Sequence, residues 1–141
     1  MLQKRPGKEW RRAISLAMSI TFGLVGVLFL LIPEQVLFFF NRLSPTLGFV
    51  PSPVQGTGFY LILAAAYMYL VAVLAAMMFL HPDEPLYPPL LIHGKAASAL
   101  LSLALFLFHG PFLIYLTNGL VDGAIAAAVY LLMRPVKRAA R

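Results

Sequence analysis

The chain has 141 residues, of which 61% are hydrophobic and only 11% charged. A soluble domain carries about a quarter charged residues, so this composition excludes an ordinary water-soluble globule and suits one membrane-embedded unit. The absence of cysteine excludes disulfides, thiolate metal sites and thiol redox chemistry.

The net charge of +6 resembles a nucleic-acid signal until the charges are located. Nine of the eleven Lys and Arg lie in two tails, Lys4, Arg5, Lys8, Arg11 and Arg12, then Arg134, Lys137, Arg138 and Arg141. Tails of this kind beside apolar spans set topology and touch lipid headgroups, so no nucleic-acid partner is expected. Trp10, just before Arg11 and Arg12, is an interfacial anchor.

The first apolar run, Ala13 to Ile32, has the roughly 20 residues that a membrane-crossing helix needs. A secretory signal has an apolar core of about 7–15 residues and a small-residue cleavage site, so this run reads as an uncleaved helix. Ser15, Ser19, Gly23 and Gly26 share one side of it, a pattern that lets another helix approach closely in lipid. From Pro33 to Thr57 runs the longest connection, with prolines at 33, 45, 51 and 53. Its first part, Glu34 to Leu43, mixes Phe38, Phe39 and Phe40 with Asn41 and Arg42, which suits a short amphipathic helix in the outer interface. The Pro/Gly-rich remainder reads as an ordered loop.

Gly58 to Leu80 is the second span, closed by the proline-rich His81–Pro89 break. Pro88 and Pro89 suit the first turn of the third span, Pro88 to Phe108. His109-Gly-Pro then turns the chain directly into the fourth span, Pro111 to Met133, which makes the last two helices antiparallel neighbours. Four spans place both termini on one side, and the basic tails make that side cytoplasmic. The expected fold is an all-α integral membrane four-helix bundle in the cell (inner) membrane, a single domain with both ends cytoplasmic.

Asp122 lies roughly 16 Å from either end of its apolar segment, near the bilayer centre. A charge there costs about 2.5–3.5 kcal/mol or more, so it needs a partner or a proton. Ser98 arrives at the same depth, and Lys95 is one turn nearer the cytoplasm, where its side chain either pairs or snorkels to the headgroups. Tyr67 and Tyr69 reach a similar depth on the second span, and Ser102 and Asn118 lie a turn away on nearly the same faces. Gly119 and Gly123 mark the Asp122 side as a packed interface, so Asp122 should face the bundle interior, bonded to Ser98, a tyrosine hydroxyl or Lys95 through water. This cluster of Asp122, Lys95, Ser98, Ser102, Asn118, Tyr67 and Tyr69 is either a polar clamp fixing helix register or a proton or ligand site. His93 and His109 stand about 160° apart on the third helix, which disfavours a shared haem. No phosphate loop, HExxH or nucleophile elbow is present, so no catalytic residue, metal or cofactor is expected.

With those residues placed, the chain resembles the DoxX-like superfamily of small four-helix membrane proteins over residues 15–134. The likeness rests on Leu-Ile-Pro-Glu closing the first helix and on Gly-Phe-Tyr and Ala-Tyr-Met-Tyr in the second. The third contributes Leu-Ile-His-Gly-Lys-Ala-Ala-Ser, and the fourth Thr-Asn-Gly-Leu-Val-Asp-Gly. The resemblance implies the four-helix fold. Some relatives are linked to quinone-coupled sulfur oxidation, for which this sequence has no transferable residues. The leading functional expectation is a non-enzymatic accessory or interaction subunit, in contact with lipid and self-associated or bound to a larger membrane complex. The alternatives are a proton-linked carrier of a small solute and a lipid- or quinone-binding protein, each centred on Asp122 and Lys95. Carriers are usually built on paired repeats, and none is visible here.

Overall fold

The computed structural model describes residues 6–54 and 58–133. In chain order the helices are α1 (Pro6–Leu31), α2 (Pro33–Leu43), α3 (Gly58–Leu80), α4 (Tyr87–Phe108) and α5 (Leu113–Met133), with a 3-10 turn at Pro45–Leu47. No strand occurs among the described residues. Four segments, Glu9–Leu31, Ile62–Leu80, Tyr87–Phe108 and Leu113–Met133, are long and apolar enough to cross a membrane. α3, α4 and α5 begin and end within two residues of the apolar segments read from the sequence, whereas α1 runs back through Arg12, Arg11 and Trp10 to Pro6. Lys4, Arg5, Arg134, Lys137, Arg138 and Arg141 of the basic tails lie outside the described residues.

Prolines and short polar links set where each helix stops. Pro33 occupies the start of α2, where its missing N–H is no loss and its fixed φ suits a helix. The helix ends as Ser44 directs both its N–H and its hydroxyl to Phe40 O, at 2.9 and 2.8 Å. Gly48, at φ +77°, closes the 3-10 turn in the left-handed conformation that favours glycine. The loop beyond is clasped to α2 by Asn41, whose Nδ2 donates to Ser52 O at 2.8 Å and whose Oδ1 accepts from Ser52 N at 2.7 Å. Phe49 then rests edge-on to Phe106, 6.0 Å between centroids, which ties this cap to the end of α4. Phe38 and Phe39 stay exposed, while Phe40 turns half inward.

The long helices alternate in direction, so the start of α1, the end of α5 and the α3–α4 connection share one end, and α2 covers the other. Two pairs form the bulk of the packing, α1 with α3 and α4 with α5, and a shorter contact of α3 with α4 joins them. In the first pair the Ser19 hydroxyl donates to Ala72 O at 2.9 Å, and Gly26 lets Met68 come close. A methyl group at Gly26 would stand 3.1 Å from Met68 Cβ, so that position is small because the partner is near. The core cluster of Phe22, Met68, Val71, Ala75, Leu91 and Val129 draws on all four long helices. No comparable interface joins α1 to α5, and a cleft runs between them.

Candidate functional site: a buried ion pair flooring a side cleft

Lysine and aspartate occupy core positions of their helices. The buried stripe of α4 is Leu91, Lys95 and Ala99, four residues apart, and that of α5 includes Gly119, Asp122, Ala126 and Val129, at intervals of three or four. Such spacing keeps one face turned to the neighbour, so both charges must enter the bundle or the helices must rotate. Lys95 Nζ lies 2.8 Å from Asp122 Oδ1, with the two side chains 2% and 5% exposed. The pair is direct and not through water, and of the two alternatives open for Lys95, pairing and snorkelling, the side chain takes the first.

Two aromatic rings complete the surroundings of the ammonium. Nζ stands 4.6 Å from the Phe22 centroid on α1 and 5.1 Å from the Tyr67 centroid on α3. Contacts of this kind contribute about 0.5–2 kcal/mol each, the upper end when water is excluded. Lys95 therefore belongs to α4 and touches α1, α3 and α5, so a single cation joins both helix pairs. Phe22 was missed from the sequence, although it shares the Ser15, Ser19 and Gly26 face of α1 and that register could have identified it.

One turn away, Asn118 Nδ2 donates to Ser102 Oγ at 2.7 Å and to Ser98 Oγ at 3.2 Å. Ser98 is thus committed to Asn118 and not to Asp122. Tyr67 Oη lies near Ser98 and makes no hydrogen bond; it is the one buried side-chain polar atom without a partner among the described residues. Tyr69 stands outside the cluster, 72% exposed on the other side of α3. Two residues apart on a helix means about 200°, so only one of the two tyrosines can face inward. His93 is exposed and held to Pro89 O through Nδ1 at 2.7 Å, and His109 is exposed at the C-terminal cap of α4. No cluster of three or more His, Asp or Glu suited to a metal occurs among the described residues.

The pair is reached from the side. A cavity of about 190 Å³ lies between α1 and α5, with Lys95 and Asp122 at its floor and Phe22, Val25, Val121 and Ile125 along its walls. It extends along α5 as far as Ile114, about 12 Å from Asp122, and Phe40 of α2 lines it as well. Thr21, Asn118 and Val121 are exposed lining residues, so the cleft opens on the flank of the bundle. A second cavity of about 310 Å³ sits at the termini end among Arg11, His81, Asp83 and Glu84. Val129 is among its lining residues, and the fully buried Leu91 and Val129, with Ala75 in the same cluster, stand one turn from Lys95 and two turns from Asp122 on the side of this cavity.

No protein-family profile matches the chain, and no curated protein or solved structure matches it.

Proposed function

We propose that this chain is a small multi-pass protein of the cell (inner) membrane, both termini cytoplasmic, that binds a lipid-soluble ligand without transforming it. The observation that carries this reading is the position of the Lys95–Asp122 pair, at the floor of a cleft that opens on the flank of the bundle and not at an end. With the four apolar helices in a bilayer, that flank faces acyl chains, and the floor lies at mid-depth, where polar groups are rare and tend to be functional. The carrier alternative requires access from both sides in turn. The buried Ala75, Leu91 and Val129 layer argues against it, because that layer would have to part at every cycle. The accessory-subunit alternative has one observation in its favour. A methyl added at Gly23 of α1 would meet no atom of another helix within 4 Å among the described residues, so this small residue is not used in packing there. The resemblance to DoxX-like proteins agrees with a compact four-helix membrane unit.

Purification in mild detergent followed by native mass spectrometry tests the reading. The wild type should retain a lipid-soluble mass that Val121→Trp, which fills the cleft and leaves the pair intact, no longer retains. Equal retention by both proteins would refute binding in the cleft, and a stoichiometric protein partner with no bound lipid would favour the accessory subunit. Topology has its own check. Reporters fused after Phe40 and after Arg141 should report opposite sides, external and cytoplasmic, and a shared side would overturn the four-span arrangement.

A further inference from the structure

We infer that the cleft between α1 and α5 seats the hydroxyl head of a neutral membrane amphiphile, donated to Asp122, with the apolar tail left along α1 and α5 toward Phe40. This rests on the ligand-binding reading above and adds the chemical class of the ligand. Three observations lead to it.

The first is charge. Lys95 and Asp122 cancel one another at 2.8 Å. A carboxylate or ammonium head would bring a third, uncompensated charge into a water-poor site, at a cost of several kcal/mol. The site therefore selects a head with no net charge.

The second is unused hydrogen-bonding capacity. An ionised carboxylate accepts at about four lone-pair positions, and one of those on Asp122 is filled by Lys95. The ammonium has three N–H groups; Asp122 takes one, and the Phe22 and Tyr67 ring centroids stand 4.6 and 5.1 Å from Nζ. The Asn118 amide N–H groups are spent on Ser98 and Ser102. About three acceptor positions on Asp122 stay open, while the ammonium has ring faces beside it and the unpartnered Tyr67 hydroxyl does not line the cleft, so the head that gains most is a donor. A hydroxyl is neutral and donates, whereas an ether or ketone has nothing to offer Asp122.

The third is size. About 190 Å³ is below the roughly 300–1,000 Å³ of pockets that enclose a whole ligand, so only a head and the first part of a chain fit. The walls beyond the pair on the α2 side, Val25, Phe29 and Ile114, are apolar and lead along the bundle axis. A tail lying there continues into the surrounding hydrocarbon.

The experiment uses three photoreactive probes sharing one long diazirine-bearing chain and ending in an alcohol, its methyl ether or a carboxylate. Each is added to the full chain in lipid bilayers, and labelled residues are mapped by mass spectrometry. The alcohol should label Val25, Val121 and Ile125 roughly tenfold more than the ether, the selectivity of about 1.4 kcal/mol, and more than the carboxylate. In Asp122→Asn the lysine is left uncompensated, and the preference should pass to the carboxylate. Val121→Trp should abolish cleft labelling while leaving the outward Leu120 and Leu131 labelled as before. Ether labelling equal to alcohol labelling, or carboxylate preference in the wild type, overturns the hydroxyl assignment and leaves ligand binding standing. Cleft labelling by any probe no stronger than that of Leu120 and Leu131 removes ligand binding itself. The wild-type comparison and Val121→Trp decide the matter even if Asp122→Asn fails to fold.

Discussion

Lys95→Met is expected to destabilise the protein by about 3–5 kcal/mol, and Asp122→Leu by a similar amount, while the double variant returns to within about 1 kcal/mol of the wild type. Each single change strands a charge in a site where the two side chains are 2% and 5% exposed. Removing both charges removes the desolvation penalty with them, and apolar side chains of similar volume fill the space. Reversible unfolding of the four proteins in bicelles measures the cycle. Additive single effects would show that the pair is not coupled and would remove it as a structural element. Asp122→Asn sharpens the result, because it preserves size and hydrogen-bond acceptance but leaves Lys95 unneutralised. It should cost well above the roughly 1 kcal/mol of a lost neutral hydrogen bond. A cost near or below that value would mean that the aspartate carried a proton from the start.

The same geometry explains why one residue couples the bundle so widely. Most contact lies within two helix pairs, and the join between them is the shorter α3–α4 interface. Lys95 adds to that join by lying against Phe22 and Tyr67 while bonded to Asp122. Loss of its charge therefore acts on all four long helices, whereas loss of Asn118 acts within the α4–α5 pair alone.

Much of this arrangement was legible in the sequence for definite reasons. Apolar length gives the four candidate spans, and proline positions give their ends, as at Pro33 and Pro88. The nearly loop-free His109–Phe112 turn sets the antiparallel register of α4 and α5, which is why depth arithmetic brought Asp122 level with Ser98 and one turn from Lys95. Depth does not give rotation about the helix axis. α3 is apolar on every side, so no polar face marks which of Tyr67 and Tyr69 points inward. The cleft was equally hidden. Small residues on α1 signal that a helix comes close, but not that the helix is α3, nor that α1 and α5 stay apart. The partner of Asp122 was open for a related reason, since a long flexible lysine reaches across a full helical turn that a serine cannot span.

Gly119→Leu should be the most damaging substitution on the α4–α5 interface. A methyl group at Gly119 would already stand 2.8 Å from Leu103 Cγ, 2.9 Å from its Cδ2 and 3.4 Å from Ala99 O. Gly119→Ala therefore forces Leu103 to move, at a cost of about 1–3 kcal/mol, the usual range for overpacking. Leucine adds three further carbons where neither the Leu103 side chain nor the α4 backbone can yield enough, so the two helices must separate. Asp122 lies three residues on, and the separation should lengthen its contact with Lys95 and open the Asn118–Ser102 bond. Gly119→Leu is thus expected to cost more than the roughly 3 kcal/mol of simple overpacking and to weaken the Lys95–Asp122 coupling energy in the same background. Two glycines serve as controls. Gly123→Ala would meet Ala99 Cβ at an ordinary 3.7 Å, and Gly23→Ala meets nothing within 4 Å. Gly23→Ala should be neutral or stabilise by up to about 1 kcal/mol, since alanine loses less backbone freedom than glycine in a helix. Thermal unfolding of the three variants should give the order Gly23→Ala, Gly123→Ala, Gly119→Leu from most to least stable. A Gly119→Leu protein as stable as the wild type would show that α4 and α5 do not approach at this point.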